Sequence, residues 1–338
     1  MIGNDTGALY RDAESRSAAS NGAPPAPDSR VTVVMPCYNG EAFVGEAIAS
    51  ALAQSYTDIE LIVVDDASTD GSAEIIWTAA ERDRRLRPIF LRENGGPANA
   101  RNAGFAAASG EWITLLDADD LYEPDRVERL LALARVTGAD VVVDNQVVWD
   151  FPDGDAAIVA FDFLRGTLPV PISQDLFFGR SSLIGTMDPG YMKPMFRRAF
   201  LREAGIAYRP RYKIGEDFFL SAECFCHAAS VYGTSYAGYI YRRRGDSISR
   251  SGGWGLRMLA AMSSEILAEY GSNLSPSAKA ALKRRQRVLE RYAKLADLRH
   301  GASQRGLRAS LRTAMAHPDL LLLAPSILRK KFPRSAGL

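Results

Sequence analysis

The sequence predicts an α/β fold built on a mostly parallel, doubly wound sheet. Short apolar runs alternate with stretches of helical periodicity from Val31 to Val148, the pattern of strand–helix–strand units with right-handed crossovers. Several of the apolar runs end abruptly in polar, glycine-rich or acidic loops, and open α/β sheets bind ligands beyond the carboxyl ends of their strands.

Val31 to Met35 is a continuous apolar strand stopped by Pro36, and Glu41 to Gln54 carries Val44, Ile48, Ala51 and Leu52 at helical spacing. Leu61 to Val64 is a second strand, ending in Asp65 and Asp66, followed by a helix over Ser72 to Arg85. Pro88 to Leu91 is a weaker third strand, and Asn99 to Ser109 a helix of small residues. Trp112 to Leu116 is the next strand; Pro124 then opens a helix with Val127, Leu130, Leu131 and Ala134 as its inner stripe, before a strand over Val141 to Val148. From Phe151 to Leu201, glycine, proline and aromatic residues follow no sustained period, which predicts loops and short elements. A helix over Asp217 to Ala229 and a strand over Ala237 to Arg242 follow, and the chain from Leu256 onward is helical and increasingly basic. Boundaries near residues 150 and 255 divide it into a disordered tail (1–30), a half of regular strand–helix units (31–150), a half of loops and short elements (151–255) and a basic helical extension (256–338).

At 338 residues and 47% apolar content the chain has ample material for a packed core. Its formal net charge of +1 argues against a general nucleic-acid binder. That average hides an asymmetry, for fifteen Lys or Arg stand against three acidic residues from Pro276 to the end. Three cysteines, Cys37, Cys224 and Cys226, form no disulfide framework and fit a reducing cytosol. The first thirty residues lack the apolar segment of a secretory signal, and no apolar run is long enough to span a bilayer.

Four loops that follow strands carry chemistry. In WITLLDADD the apolar run ends in Asp117, Asp119 and Asp120. Carboxylates this close repel one another unless a cation neutralises them, and hard oxygen ligands with a substrate phosphate suit Mg2+ or Mn2+; the plain alternative is a solvated turn capping the next helix. In MPCYNGE, Pro36 stops the strand, Tyr38 offers a ring to stack on a base, and Gly40 and Glu41 begin a helix whose positive end suits an anion. In VVDDASTDGS, Asp65 or Asp66 can accept the imide N–H of a uracil or a ribose hydroxyl, while Ser68 and Asp70 cap the next helix. In ENGGPANARNAG, the paired glycines permit close backbone approach and Arg101 suits a diphosphate or base edge, or else a structural ion pair with a neighbouring aspartate.

The order and spacing of PCYN, VDDASTDGS, ARNAG and LDADD resemble family 2 glycosyltransferases of the GT-A fold over about residues 31 to 250. No GxGxxG follows the first strand and no GxxxxGK[ST] is present, which disfavours dinucleotide-dependent dehydrogenases and P-loop NTPases. The resemblance implies that residues 31–150 are the donor-binding half and 151–255 the acceptor-binding and catalytic half, and that Pro36, Tyr38 and Glu41 contact the nucleotide, Asp66 or Asp65 the uracil, and Arg101 the base or diphosphate. It implies Asp117 near the ribose and metal shell, Asp119 as principal ligand of Mg2+ or Mn2+ bridging the diphosphate, and Asp120 as an orienting group.

YKIGEDFFL places Glu216 and Asp217 after Gly215 at a helix amino end, where acidic residues are favoured by the dipole alone. The resemblance makes this pair the source of the catalytic base, Asp217 with Glu216 as the alternative. In YRRRGDSISRSGG, strand alternation puts Arg242 and Arg244 on one face, toward the diphosphate or along a sheet edge. Many relatives carry a metal-site histidine here; this chain has Gly245 and Asp246, which makes Asp246 a substitute or leaves the metal to Asp119, phosphate and water. Between these motifs, the segment from Met187 to Ile206, with Tyr191, Lys193 and Phe196, resembles the acceptor side of bacterial exopolysaccharide transferases.

The expected function is therefore inverting transfer of a hexose, glucose foremost, from a UDP-sugar to a saccharide or lipid-linked oligosaccharide during exopolysaccharide or cell-surface polysaccharide synthesis. The basic carboxyl-terminal region, with LLLLAPSILRKKF near its end, suits peripheral contact with the inner face of the bacterial plasma membrane. The rival readings are a nucleotidyltransferase and a non-catalytic carbohydrate- or partner-binding module on the same fold.

Overall fold

The computed structural model describes residues 29–151, 158–166, 169–181, 187–243 and 252–305. The expected tail over residues 1–30, all but its last two residues, and the end of the basic extension lie outside them, as do Arg244 and Asp246.

The first half alternates strands β1 (Val31–Cys37), β2 (Ile59–Asp65), β3 (Leu86–Phe90) and β4 (Trp112–Leu115) with helices α1 (Val44–Leu52), α2 (Ser72–Arg82) and α3 (Pro97–Ala107). A short β5 (Leu121–Tyr122), α4 (Arg126–Thr137) and β6 (Val141–Asp150) complete it. Then come β7 (Ile158–Val159), β8 (Val170–Pro171), α5 (Gln174–Arg180), a 3-10 turn at Pro189–Tyr191, β9 (Met195–Arg197) and α6 (Arg198–Glu203). The chain continues through α7 (Glu216–Cys226), β10 (Val231–Arg243), α8 (Gly252–Tyr270) and α9 (Pro276–Arg305).

One mixed sheet of order β3-β2-β1-β4-β9-β6-β10-β5 runs through both halves of the chain. β3, β2, β1 and β4 are mutually parallel, as are β6 and β10, while β9 lies antiparallel between β4 and β6. Sequence pattern missed β9, because three residues are too few to display a period of two. It is nonetheless the strand that joins β4, and through it β1, β2 and β3, to the β6–β10 pair.

Both faces of the sheet are covered at its centre, so β1, β2 and β4 are buried on both sides rather than alternating with exposed residues. Val31, Val33 and Met35 of β1 enter one core with α1, α2 and α4; Val34 enters the other, with α3, α5, α7 and α8. Gly104 lets α3 approach closely, since a Cβ there would stand 2.3 Å from Val34 Cγ1. α2 stops at Arg82 rather than Arg85 because the Asp83 carboxylate takes the Arg85 N–H and guanidinium and turns the chain into β3.

Candidate active site

β4 is buried along its length and delivers the chain into the acidic turn, which closes with the Asp120 N–H donating to the Asp117 carbonyl at 3.0 Å. The three carboxylates of this turn have separate surroundings. Asp120 is buried; it accepts the Tyr239 hydroxyl at 2.6 Å and the Arg242 N–H at 2.8 Å. Burial, then the neighbouring Asp119 and Asp117, push its pKa well above the usual carboxylate range. Asp117 has both oxygens on cations, Oδ1 on Arg101 and Oδ2 on Lys193 (2.7 and 2.6 Å). Burial opposes its ionisation, but the two cations outweigh it and hold the carboxyl below its usual range. Asp119 is partly exposed.

Arg101 comes from α3 and is itself buried. Besides Asp117 it donates to Glu216 Oε1 at 2.7 Å and stands 3.8 Å from Asp217 Oδ1. Glu216 and Asp217 form the first turn of α7, entered through Gly215 in the left-handed region with φ 73°. Only glycine fits that corner, for a Cβ would meet Leu259 Cδ2 at 2.3 Å. Asp217 accepts the Tyr208 hydroxyl on Oδ1 at 2.8 Å and the Lys193 ammonium on Oδ2 at 2.7 Å. Burial raises its pKa, yet Arg101 and Lys193 together hold it below the usual value. Three carboxylates, two cations and a tyrosine from five separate segments thus meet at one place, although Arg101 and Glu216 are 115 residues apart.

The loops after β1, β2 and β3 are bound to one another. Asp70 accepts the Glu41 N–H at 3.1 Å and the Ser72 N–H at 3.0 Å, and Glu41 accepts the Gly71 N–H at 2.7 Å. Ser68 accepts the Asn39 N–H at 2.9 Å. The N-cap residue of α2 is Gly71; Asp70, one residue earlier, takes the first N–H of the helix and also ties the two loops together. Beside Pro36 and Cys37 at the end of β1, Tyr38 is 52% exposed. Asp66 has its oxygens on the N–H groups of Gly95 and Gly96 at 2.9 and 2.7 Å, which shapes the third loop. Asp65 accepts the Ser68 N–H on Oδ2, while its buried Oδ1 has no hydrogen-bond partner.

Arg242 is buried among Phe43, Trp149 and Phe151 and pairs with Glu46. Its backbone N–H, rather than its guanidinium, serves the acidic turn. A divalent cation fits this donor set only if substrate phosphate and water supply most of its ligands, as Mg2+ commonly accepts. Both Asp117 oxygens are on cations, and among the described residues no group of three or more His, Cys, Asp or Glu is arranged to hold a metal.

The Glycosyl transferase family 2 model matches residues 32–183. The succinoglycan biosynthesis protein ExoO of Rhizobium meliloti (strain 1021) is 36% identical over 312 residues, 88% of this chain and 85% of that protein. The chain belongs to glycosyl transferase family 2. ExoU of the same organism is 34% identical over 86% of this chain and 84% of its own length. Among solved structures, S. aureus TarS 1-349 in complex with UDP-GlcNAc aligns with TM-score 0.61 and 19% identity over 84% of this chain and 78% of that one. The mannosyltransferase PcManGT from Pyrobaculum calidifontis, in complex with GDP-Man and Mn2+, aligns with TM-score 0.58 and 19% identity over 94% and 88%. At this identity the two structures establish the shared GT-A architecture of this family 2 glycosyltransferase.

Reading the sequence brought Arg101, Asp117, Glu216 and Asp217 forward, and the fold brings all four together. It gave Lys193 only to an acceptor-side segment and passed over Tyr208 and Tyr239. The signal available was MKPMFRR, where a lysine stands inside an otherwise apolar run just before a strand. A buried lysine requires a carboxylate partner, and this one has two.

Proposed function

We propose that this transferase moves a hexose, glucose foremost, from a UDP-sugar to a saccharide or lipid-linked oligosaccharide acceptor with inversion at the anomeric carbon, in the assembly of an exported polysaccharide. The observation that carries the reading is the junction of Asp217, at the amino end of α7, with the acidic turn after β4 through Lys193 and Arg101. General-base chemistry needs a carboxylate held at a fixed place within reach of the acceptor hydroxyl. In the proposed step Asp217 takes the hydroxyl proton and the acceptor oxygen attacks the anomeric carbon. The bond from that carbon to the diphosphate oxygen breaks, and its electron pair leaves with UDP. Glu216, fixed by Arg101, is the alternative base.

On the donor side, Pro36, Tyr38, Glu41, Asp65 and Asp66 belong to the linked loops that would receive the nucleotide, with Tyr38 stacking on the base. Asp119 would hold Mg2+ or Mn2+ together with the diphosphate and water, Asp117 being engaged by cations. When bound, the metal supplies Lewis-acid stabilisation of charge developing on the leaving UDP. Arg244 keeps its proposed diphosphate role. The choice of UDP and of a polysaccharide product is supported by the UDP-GlcNAc complex of TarS and by the relatives ExoO and ExoU.

Peripheral contact with the inner face of the plasma membrane is the second part of the proposal. Lys283, Arg284, Arg287, Arg291 and Lys294 are all exposed along α9, while Ala281, Leu282, Leu289 and Ala293 of the same helix are buried. A one-sided basic helix suits an anionic surface, and among the described residues no helix is long and apolar enough to cross a membrane. Salt-sensitive co-sedimentation with phosphatidylglycerol vesicles tests this, and indifference to those vesicles removes it.

The donor reading is tested calorimetrically with UDP and GDP, with and without Mn2+, on wild type and Asp119→Ala. Mn2+-dependent UDP binding lost in the variant supports it. Binding of neither nucleotide sinks it in favour of a non-catalytic module.

A further inference from the structure

Lys193 is held from two sides. Its own carbonyl accepts the buried Arg126 Nη2 at 2.6 Å, and the next carbonyl, of Pro194, accepts the Thr114 hydroxyl at 3.2 Å. Arg126 in turn is fixed by two hydrogen bonds to Asp144, both at 2.8 Å. From this fixed base the side chain, 7% exposed, puts one nitrogen 2.6 Å from Asp117 Oδ2 and 2.7 Å from Asp217 Oδ2. A compact ammonium with three donors can lie between two carboxylates in this way, whereas a planar guanidinium directs its donors as a fork.

We propose that Lys193 is the positioning residue of the transfer reaction, the tie that sets Asp217 at a fixed distance from the acidic turn. This rests on the transferase reading above. Arg101 spans the same gap but contacts Asp217 only at 3.8 Å, so it cannot replace the Lys193 bond. Without Lys193, Asp217 faces Asp117 and Glu216 with only Arg101 and Tyr208 to hold it. Repulsion then moves its carboxylate out of line and makes it easier to protonate.

The test reads turnover as UDP release from UDP-glucose and other UDP-hexoses, and nucleotide affinity by calorimetry with UDP. Lys193→Met is expected to lose about 100-fold in kcat, the scale of general-base catalysis, while UDP affinity stays within about threefold. The acidic limb of its pH–rate profile shifts to higher pH. Lys193→Arg recovers part of the loss. Full turnover in a folded Lys193→Met, or loss of UDP affinity in step with kcat, overturns the proposal. If Lys193→Met fails to fold, Lys193→Arg carries the test: reduced turnover at unchanged UDP affinity supports positioning, and wild-type turnover overturns it. Wild-type protein that releases UDP from no UDP-hexose instead defeats the transferase reading, and this inference with it.

Discussion

The hydroxyl of Tyr239, from the middle of β10, donates to Asp120 at 2.6 Å and accepts the N–H of Asp117 at 3.2 Å. One phenol therefore braces both ends of the acidic turn from a strand more than a hundred residues away. Tyr239→Phe leaves the Asp117 N–H and the Asp120 carboxyl each short of a partner, at a cost of about 1–3 kcal/mol. A lower urea midpoint and weaker UDP binding are expected together; an unmoved midpoint contradicts the bracing role.

Asp120 gives the acidic turn a pH dependence of definite sign. Burial first, then Asp119 and Asp117, raise its pKa in the folded state, while an unfolded aspartate titrates at about 3.9. The folded protein holds this proton more tightly, so the associated stability is present below about pH 4 and is lost as pH rises through the raised value. Asp120→Asn cannot ionise. The difference in melting temperature, variant minus wild type, should therefore increase from pH 4 to pH 9; a decrease would falsify the assignment.

Asp217→Asn keeps an oxygen for Tyr208 or Lys193 but cannot take a proton. Its turnover should fall by about two to four orders of magnitude with UDP affinity little changed. Glu216→Gln should lose less, acting only through Arg101. The reverse ranking in steady-state kinetics would assign the base to Glu216.

Arg126 and Asp144 form a fully buried pair, 0% and 1% exposed in their side chains. Arg126→Met strands Asp144 without its cation and should cost about 3–5 kcal/mol by denaturant unfolding. Arg126→Met with Asp144→Leu should regain much of that loss, because neither charge is then left buried and alone. A single variant within about 1 kcal/mol of wild type by the same unfolding measurement would refute the burial argument, since stranding one partner of a buried pair is otherwise costly.

Much of this was legible from residue order. The alternation over residues 31–150 gave the parallel strands because each strand and its helix are local, bounded by glycine, proline and acidic stops. The loops after β1, β2 and β3 were legible for the same reason, since each directly follows its strand. Lys193 was not, because its partners lie 76 and 24 residues away, and only the insertion of β9 between β4 and β6 carries it to them.

Residue order alone was enough for the long strands and helices, the family and the carboxylates and arginines that are candidates for chemistry, because propensity, periodicity and motif spacing act over a few residues. The tertiary structure decided the state of each group. Asp117, Asp120 and Asp217 are the same residue type, yet their pKa values move down, up and down. The reason is electrostatic: burial penalises every one of these charges, and only where long-range folding delivers Arg101 and Lys193 is that penalty outweighed.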